Sequence, residues 1–253
     1  TAPAYAVTKH YDIQHPNDDL ETVTFVDGFG RAVQVKKDGV VTSASKGNSA
    51  KDENVMIVSG RNVYDAFGRV AKAFYPTTEG TGSKSTFSKS FDNVSPTVTV
   101  YDVLDRATLV TLPDNSTTTT AYTVDNGSHA LVTTVTDALH NVQATHTNGS
   151  GKTLKTIQKS GPDGEITTSF EYDGIQRLVR VTDTEGNVTT STYDMGDRRT
   201  EVNHPASGIT SFTYDALGNV LTKQTANLAK EGKFITYDYD YQRLTGINYP
   251  DHP

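Results

Sequence analysis

The chain has 253 residues, of which 34% are hydrophobic, and its 30 acidic residues outnumber its 23 basic residues to give a formal net charge of −7. Because phosphate binding needs clustered Lys and Arg, an acidic chain with dispersed basic residues is a poor candidate for binding nucleic acid. The sequence contains no cysteine, which excludes disulfide scaffolds, thiolate zinc sites and cysteine nucleophiles. It also has no apolar run of about 18 residues, so no membrane span is predicted.

The first part of the chain, residues 1–98, combines strand-like segments with two polar stretches at 42–54 and 77–96. Both stretches are predicted to be long solvated loops, which is where a repeat scaffold usually carries a variable surface. Its opening residues lack the basic and then apolar order of a secretion signal. The text reads as a section cut from a larger protein.

From residue 99 to residue 253, turn signals recur about 10 to 12 residues apart. This spacing suits strands of about 6 residues joined by tight turns. Polar and apolar residues alternate at 97–101 and 211–214, as strands with one packed face require. Only 225–230 could supply a short helix. We therefore expect an all-β fold of repeated antiparallel β-hairpins in a continuous curved sheet, with 1–253 as a single repeat array.

The turns share one short phrase: an aromatic or β-branched residue, Asp, two variable residues, Gly or a substitute, Arg or Asn, and usually an aliphatic residue. It is clearest at 64–70 (YDAFGRV) and 214–220 (YDALGNV) and looser at 101–107 (YDVLDRA). A phrase that returns this often indicates a repeated structural unit before it indicates chemistry. The motif residues are Asp27, Gly30, Arg31, Tyr64, Asp65, Gly68, Arg69, Tyr101, Asp102, Arg106, Asp137, Tyr172, Asp173, Arg177, Asp183, Gly186, Tyr193, Asp194, Arg198, Tyr214, Asp215 and Gly218.

Each copy of the phrase is typical of a type I turn, with Asp at the first position and Gly at the fourth, where a left-handed backbone is common. Asp105, His140 and Asp197 are tolerable substitutes at the fourth position, whereas Gln176 fits less well. In a hairpin the residue before Asp should lie opposite the residue after Arg or Asn, which places Tyr214 against Val220. Each Asp should then lie near its own Arg or Asn, in an exposed pair that helps to fix the register.

Catalytic and metal-binding interpretations find little support in the sequence. Asp18 with Asp19 and Asp238 with Asp240 are the paired carboxylates, but a hydrolase needs two carboxyl groups converging on one bond. The seven histidines, at positions 10, 15, 129, 140, 146, 204 and 252, show no metal-ligand spacing. No catalytic residue, metal or cofactor is predicted.

The tyrosine column leaves a binding role open. Aromatic side chains on an exposed sheet face can stack on sugars, so Tyr172 and Tyr193 are candidates for a glycan platform. The other interpretation is that these rings pack between neighbouring hairpins as the apolar part of a thin sheet.

The repeated phrase resembles the YD repeats of the Rhs family, and the stretches 25–31, 58–69 and 100–106 resemble the middle region of B components of bacterial toxin complexes. The resemblance covers about 24–244. It departs at Thr136, where Tyr is expected, and at 240–244, where the Asp to Arg interval is one residue short. Both departures leave room for a nonstandard turn or a skipped hairpin. No segment resembles the family's self-cleavage motif, so no catalytic residue is carried over.

The resemblance implies a non-catalytic segment of a hollow shell that encloses a toxic polypeptide until delivery. It implies as partners other repeat segments of the same polypeptide, a companion toxin subunit and the enclosed toxin domain, in a protein secreted or displayed at the bacterial cell surface. The alternative is a surface module that binds carbohydrate or a host protein, and a glycan-active enzyme comes third.

Overall fold

The computed structural model describes residues 3–11, 13, 19–43, 51–89, 95–160 and 164–250. Several sequence-based expectations fall on other residues. Asp18 of the first acidic pair, His15, His252 and most of the turn expected at 161–164 lie outside the described part of the chain.

The described chain is almost entirely β, which confirms the predicted all-β class of antiparallel hairpins. The strands are β1 (Ala4–His10), β2 (Leu20–Val26), β3 (Ala32–Ser43), β4 (Lys51–Ser59), β5 (Asn62–Tyr64), β6 (Val70–Ala73), β7 (Thr77–Gly80), β8 (Thr97–Tyr101), β9 (Ala107–Thr111), β10 (Thr117–Asp125), β11 (Ala130–Thr136), β12 (Val142–Thr147), β13 (Thr153–Lys159), β14 (Glu165–Tyr172), β15 (Leu178–Thr182), β16 (Val188–Tyr193), β17 (Arg199–His204), β18 (Gly208–Tyr214), β19 (Val220–Gln224), β20 (Ile235–Asp240) and β21 (Arg243–Asn248). The chain divides into two compact units, Thr1–Thr120 and Ala121–Pro253. The expectation of one array over 1–253 stays a prediction.

The first unit contains two sheets. One has the strand order β1-β2-β3-β4-β7, and in the other β5, β6, β8 and β9 are successive neighbours. The hairpin of β3 and β4 is long: its register runs from Val35 opposite Ser59 through Thr42 opposite Asp52. The loop predicted at 42–54 is therefore wrong at residues 42, 43 and 51–54, which are strand. Strand pairing satisfies the backbone hydrogen-bonding groups there. A side-chain bond from Thr42 Oγ1 to Asp52 (2.6 Å) also joins the two strands.

The second polar stretch is also more structured than its composition suggests. Residues 77–89, here called the strap, begin with β7, which pairs with β4, and continue into a 3-10 helix at Thr81–Ser83. The ammonium of Lys36 donates to Glu79 (2.6 Å) and to the carbonyl of Ser83 (2.8 Å). The prediction of a solvated loop over 77–96 is wrong for the strap, because ion pairs and strand pairing hold it against the sheet.

The strap covers the core of the first sheet. Val23, Phe25 and Met56 are buried there, and the ring of Phe25 meets that of Phe87 edge-on at 5.6 Å. Lys36 is 0% exposed, so its pairing with Glu79 offsets the cost of removing the ammonium from water. The strap is therefore an integral part of the packing of this sheet.

The second unit is a thin sheet with few buried side chains. Strands β11 to β21 follow one another as antiparallel neighbours in chain order. Among its described residues the buried apolar side chains are Ala130, Val132 and Ala144. A helix, α1 (Ala226–Lys230), confirms the predicted helical segment and is capped by Thr225, whose side chain accepts from the Leu228 N–H. With so small a core, the hairpin ends carry much of the organisation.

Because successive strands are antiparallel, the turns of this unit alternate between the two ends of the strands, and each row of turns forms one edge of the sheet. Turns at 148–152, 173–177, 194–198, 215–219 and 240–243 lie at one edge, here called the tyrosine edge. Turns at 137–141, 183–187 and 204–208 lie at the other, here called the asparagine edge.

Candidate functional site

All eight copies of the repeated phrase adopt the same backbone turn. In each, the N–H of the first residue donates to the carbonyl of the fifth, and the N–H of the fourth donates back to the carbonyl of the first. At Asp65 these distances are 2.9 Å to Arg69 and 3.0 Å from Gly68. Tyr64 lies opposite Val70 and Tyr214 opposite Val220, which confirms the predicted register.

The fourth residue of every copy has a positive φ, from 61° at Asp105 to 91° at Gly218. Gln176, expected to fit poorly, adopts the same conformation at φ 70°. Two turns that looked weaker in sequence share the geometry: Asn115 has φ 66° and Gly151 has φ 78°, with the same pair of backbone bonds. The backbone geometry of the turns is thus more uniform than their amino-acid sequences.

The Asp of each turn binds more than its expected partner. In Asp173, one carboxylate oxygen accepts the N–H groups of Ile175 (3.1 Å) and Arg177 (2.9 Å), and the other accepts Arg177 Nε (2.7 Å). The other seven copies repeat this arrangement, with the side-chain amide as the donor where Asn replaces Arg. One carboxylate therefore caps the turn and anchors the Arg or Asn at the same time.

These contacts keep the Asp side chains ionised. The Arg106 side chain lowers the pKa of Asp102 from its ordinary value, as the backbone N–H groups of Arg106 and Leu104 also do. At Arg177 the hydrogen bond to Asp173 raises the pKa of the guanidinium. The charges stabilise one another, which is the behaviour of a structural ion pair and not of a general acid or base.

In five turns the residue before the Asp or its equivalent is a tyrosine that reaches back to an earlier turn of the chain. Its hydroxyl donates to the carbonyl of the residue that follows the basic residue of that earlier turn. The five bonds run from Tyr64 to Ala32 (2.9 Å), Tyr101 to Val70 (3.0 Å), Tyr172 to Thr153 (2.9 Å), Tyr193 to Leu178 (2.8 Å) and Tyr214 to Arg199 (2.7 Å). The acceptor is backbone, so no sequence signal could have revealed this bond.

Three turn arginines, Arg69, Arg177 and Arg198, reach forward to a later turn of the chain. Arg177 Nη1 donates to the carbonyl of Asp194 at 2.9 Å, while its guanidinium lies 5.0 Å from the ring centre of Tyr193. Arg69 makes the same two contacts with Asp102 and Tyr101, and Arg198 makes them with Asp215 and Tyr214. We call this series of turn-to-turn contacts the Tyr-Asp-Arg ladder. It links residues 65–106 in the first unit and 173–219 in the second.

The two expected departures behave differently. Thr136 replaces Tyr, yet the turn at Asp137 is standard, so neither a nonstandard turn nor a skipped hairpin occurs there. At the other departure β20 and β21 close with Asp240 opposite Arg243, leaving a two-residue turn in which Tyr241 has φ 55°. Asn219 still reaches this turn, because its amide donates to the carbonyl of Tyr241 at 3.0 Å.

The remaining candidate sites have structural partners. Asp238 accepts a hydrogen bond from the Asn248 amide (2.7 Å), and Asp240 lies opposite Arg243. In the part of the chain that the structure describes, no group of three His, Cys, Asp or Glu residues could hold a metal ion. No helix of that part is long and apolar enough to cross a membrane.

Two parts of the chain match models of known families. Residues 172–209, which hold three copies of the turn, match the model of the RHS repeat, and residues 1–125 match the model of a domain of unknown function, DUF6443. The resemblance seen in the sequence is confirmed. No curated protein sequence matches the chain.

The fold is the one found in toxin complexes. It aligns with the crystal structure of TcdB2-TccC3 without its hypervariable C-terminal region, at a TM-score of 0.61 and 18% identity, over 98% of this chain and 13% of that one. It aligns with the Photorhabdus luminescens Tc holotoxin pore carrying a TccC3 mutation, at 0.63 and 17%, over 100% of this chain and 14% of that one. At these identities the likeness concerns the fold, and the chain spans about a seventh of the length of its structural relatives.

Proposed function

We propose that the chain is a wall segment of a toxin-complex shell, which encloses a toxic polypeptide until it is delivered and performs no chemical step itself. The observation that carries the proposal is the Tyr-Asp-Arg ladder. Each rung joins one hairpin to the next through Arg, Tyr and main-chain carbonyls, as at Arg177, Tyr193 and Leu178. A thin sheet with few buried residues needs such links to remain closed as a wall.

The relatives support the setting of this role. One is a structure of TcdB2-TccC3, and the other is a Tc holotoxin pore with a TccC3 mutation. By analogy, the partners here are further repeat segments of the same polypeptide, a companion toxin subunit and the enclosed polypeptide. Such a shell acts outside the producing cell, so the protein is secreted or displayed at the cell surface.

Protease protection tests the proposal. The polypeptide that contains this chain would be assembled with its companion subunit around a protease-sensitive reporter. We expect the reporter to survive in the assembly and to be cleaved faster when Arg177→Lys weakens a rung, because Lys lacks the fork that reaches two turns. The matched control is Arg180→Lys, since the one contact of the Arg180 side chain among the described residues is an exposed pair with Glu171 at 3.5 Å. Cleavage as fast in the assembly as for the free reporter contradicts the proposal.

The glycan-binding alternative is separated by its own assay. The hydroxyls of Tyr172 and Tyr193 are bonded to neighbouring repeats, which speaks for packing. Binding on a glycan array that disappears with Tyr172→Ala or Tyr193→Ala would favour the alternative. Glycan hydrolysis abolished by a single Asp substitution would favour an enzyme.

A further inference from the structure

The two edges of the second unit differ in what fills the space between successive turns. At the tyrosine edge the space after the 173–177 turn is taken by the Arg177 side chain and the Tyr193 ring. At the asparagine edge the corresponding turn, 183–187, ends in Asn187, and the next turn at that edge begins at His204. The short side chain of Asn187 thus stands where the long side chain of Arg177 stands at the other edge.

A groove of about 460 Å³ opens at this position. It is lined by Asp183, Asn187, Thr189, His204, Pro205 and Ala206, among others. The volume lies within the range of about 300–1,000 Å³ typical of small-ligand sites. His204 is held in place, because its Nδ1 accepts the N–H groups of Ala206 (3.2 Å) and Ser207 (3.4 Å) as the Asp does in other turns.

We propose that this groove binds an arginine side chain supplied by another polypeptide segment, which restores from outside the contact that Arg177 makes within the chain. The inference goes beyond the proposed wall function and does not depend on it. The Asp183 carboxylate uses three of its roughly four acceptor sites, on Glu185 N–H, Asn187 N–H and the Asn187 amide. The fourth site and the Asn187 side-chain carbonyl are acceptors suited to a planar guanidinium.

Other ligands fit less well. Sugar sites rely on aromatic faces, and no Phe, Tyr or Trp lines this groove. Anions would be repelled by the Asp183 carboxylate and by the chain's net charge of −7. The second groove of this edge, about 290 Å³ beside Asn141, already has Lys159 in its lining, so it should repel a guanidinium and serves as an internal control.

Nuclear magnetic resonance of the 253-residue chain with N-acetyl-L-arginine amide as the probe tests the proposal. We expect saturable shifts of the Asn187 side-chain amide and of Thr189, with the Asn141 signals unchanged. The lysine analogue should bind about tenfold more weakly or worse, since it loses a charged hydrogen bond. Absence of shifts up to the solubility limit, equal binding of the lysine analogue, or equal shifts at Asn141 would overturn the inference.

Two variants fill the groove from opposite sides. Asn187→Arg supplies the guanidinium within the chain, and Ala206→Phe adds bulk to the groove from an exposed lining position. Each variant is first checked for parent-like circular dichroism. We expect both to abolish binding, and a folded Ala206→Phe chain that keeps the parent's affinity would refute the site even if Asn187→Arg failed to fold.

Discussion

A single residue position, the fourth of each turn, sets how well the hairpins close. Its backbone is left-handed in all eight copies, a conformation that costs a non-glycine residue about 1–3 kcal/mol. The chain accepts this cost at Asp105, His140, Gln176 and Asp197 and avoids it at its glycines. Turn stability is therefore unevenly distributed along the array.

Gly218→Val should lower the free energy of unfolding by about 1–3 kcal/mol, because a valine is strained at the φ of 91° that Gly218 adopts. No neighbouring atom lies within 4 Å of an added Cβ, so the effect reports backbone strain and not a clash. Thermal denaturation of the second unit's signal measures it. The control is Gly174→Val, at a turn position with open space and no left-handed backbone. Equal stability of the two variants would sink the turn assignment.

Gln176→Gly should act in the opposite direction. Glycine removes the strain at φ 70° but adds freedom to the unfolded chain, so a net gain of about 0.5–1 kcal/mol is expected. Urea denaturation at neutral pH would measure this gain. A loss of stability would mean that the Gln176 side chain makes a contribution larger than the backbone strain.

At the scale of the elements, the ladder couples hairpins that the sheet already joins by backbone hydrogen bonds. A rung adds a hydroxyl bond, a cation over a ring and an arginine to carbonyl bond, as between Arg198, Tyr214 and Arg199. Individually each is modest, about 0.5–1.5 kcal/mol. We expect their repetition to couple the opening of neighbouring hairpins.

Tyr193→Phe should cost about 0.5–1.5 kcal/mol, because it leaves the ring under Arg177 and removes only the bond to Leu178. Hydrogen exchange should show faster opening of both β15 and β17, on either side of the rung. The control is Tyr239→Phe, whose hydroxyl has no hydrogen-bond partner among the described residues. Unchanged exchange in Tyr193→Phe would mean that the hydroxyl bond does not couple the hairpins.

At the scale of the whole molecule, the two units are organised differently. The first has a buried core closed by the strap, with Lys36 and Glu79 at its centre, and the second relies on its turns. Burial raises the pKa of Glu79, but hydrogen bonds from Lys36, Ser88 and Ser83 outweigh it and lower the pKa to about 2. The ionised carboxylate is therefore part of the folded state of the first unit.

This depressed pKa predicts an acid dependence. The ordinary pKa of this carboxyl, which applies to the unfolded chain, is 4.5, so the pair's contribution is complete above that pH and is lost as the pH falls toward 2. Glu79→Gln should lower the melting temperature most at pH 7, and the gap to the parent should narrow toward pH 2. The exposed Glu171→Gln is the control. A gap that does not change with pH would contradict the role of the Glu79 charge.

Local chemistry explains why the turns could be predicted. Asp27 and Gly30 meet their requirements within five residues, so their sequence is sufficient. The strap could not be predicted, because Gln34 binds Ser88 and Lys36 binds Glu79 across 54 and 43 residues and the polar text between them is typical of loops. The groove at the asparagine edge could not be predicted either, because only the strand order shows which turns are neighbours.

The tyrosine bond does not depend on which residue supplies its acceptor. Its acceptors belong to Ala32, Val70, Thr153, Leu178 and Arg199, which share nothing but a main-chain carbonyl. A unit that brings its own tyrosine can therefore be placed after almost any other unit. Duplication, deletion and exchange of units would leave the joint intact, so the length of the array can vary while its joints stay the same.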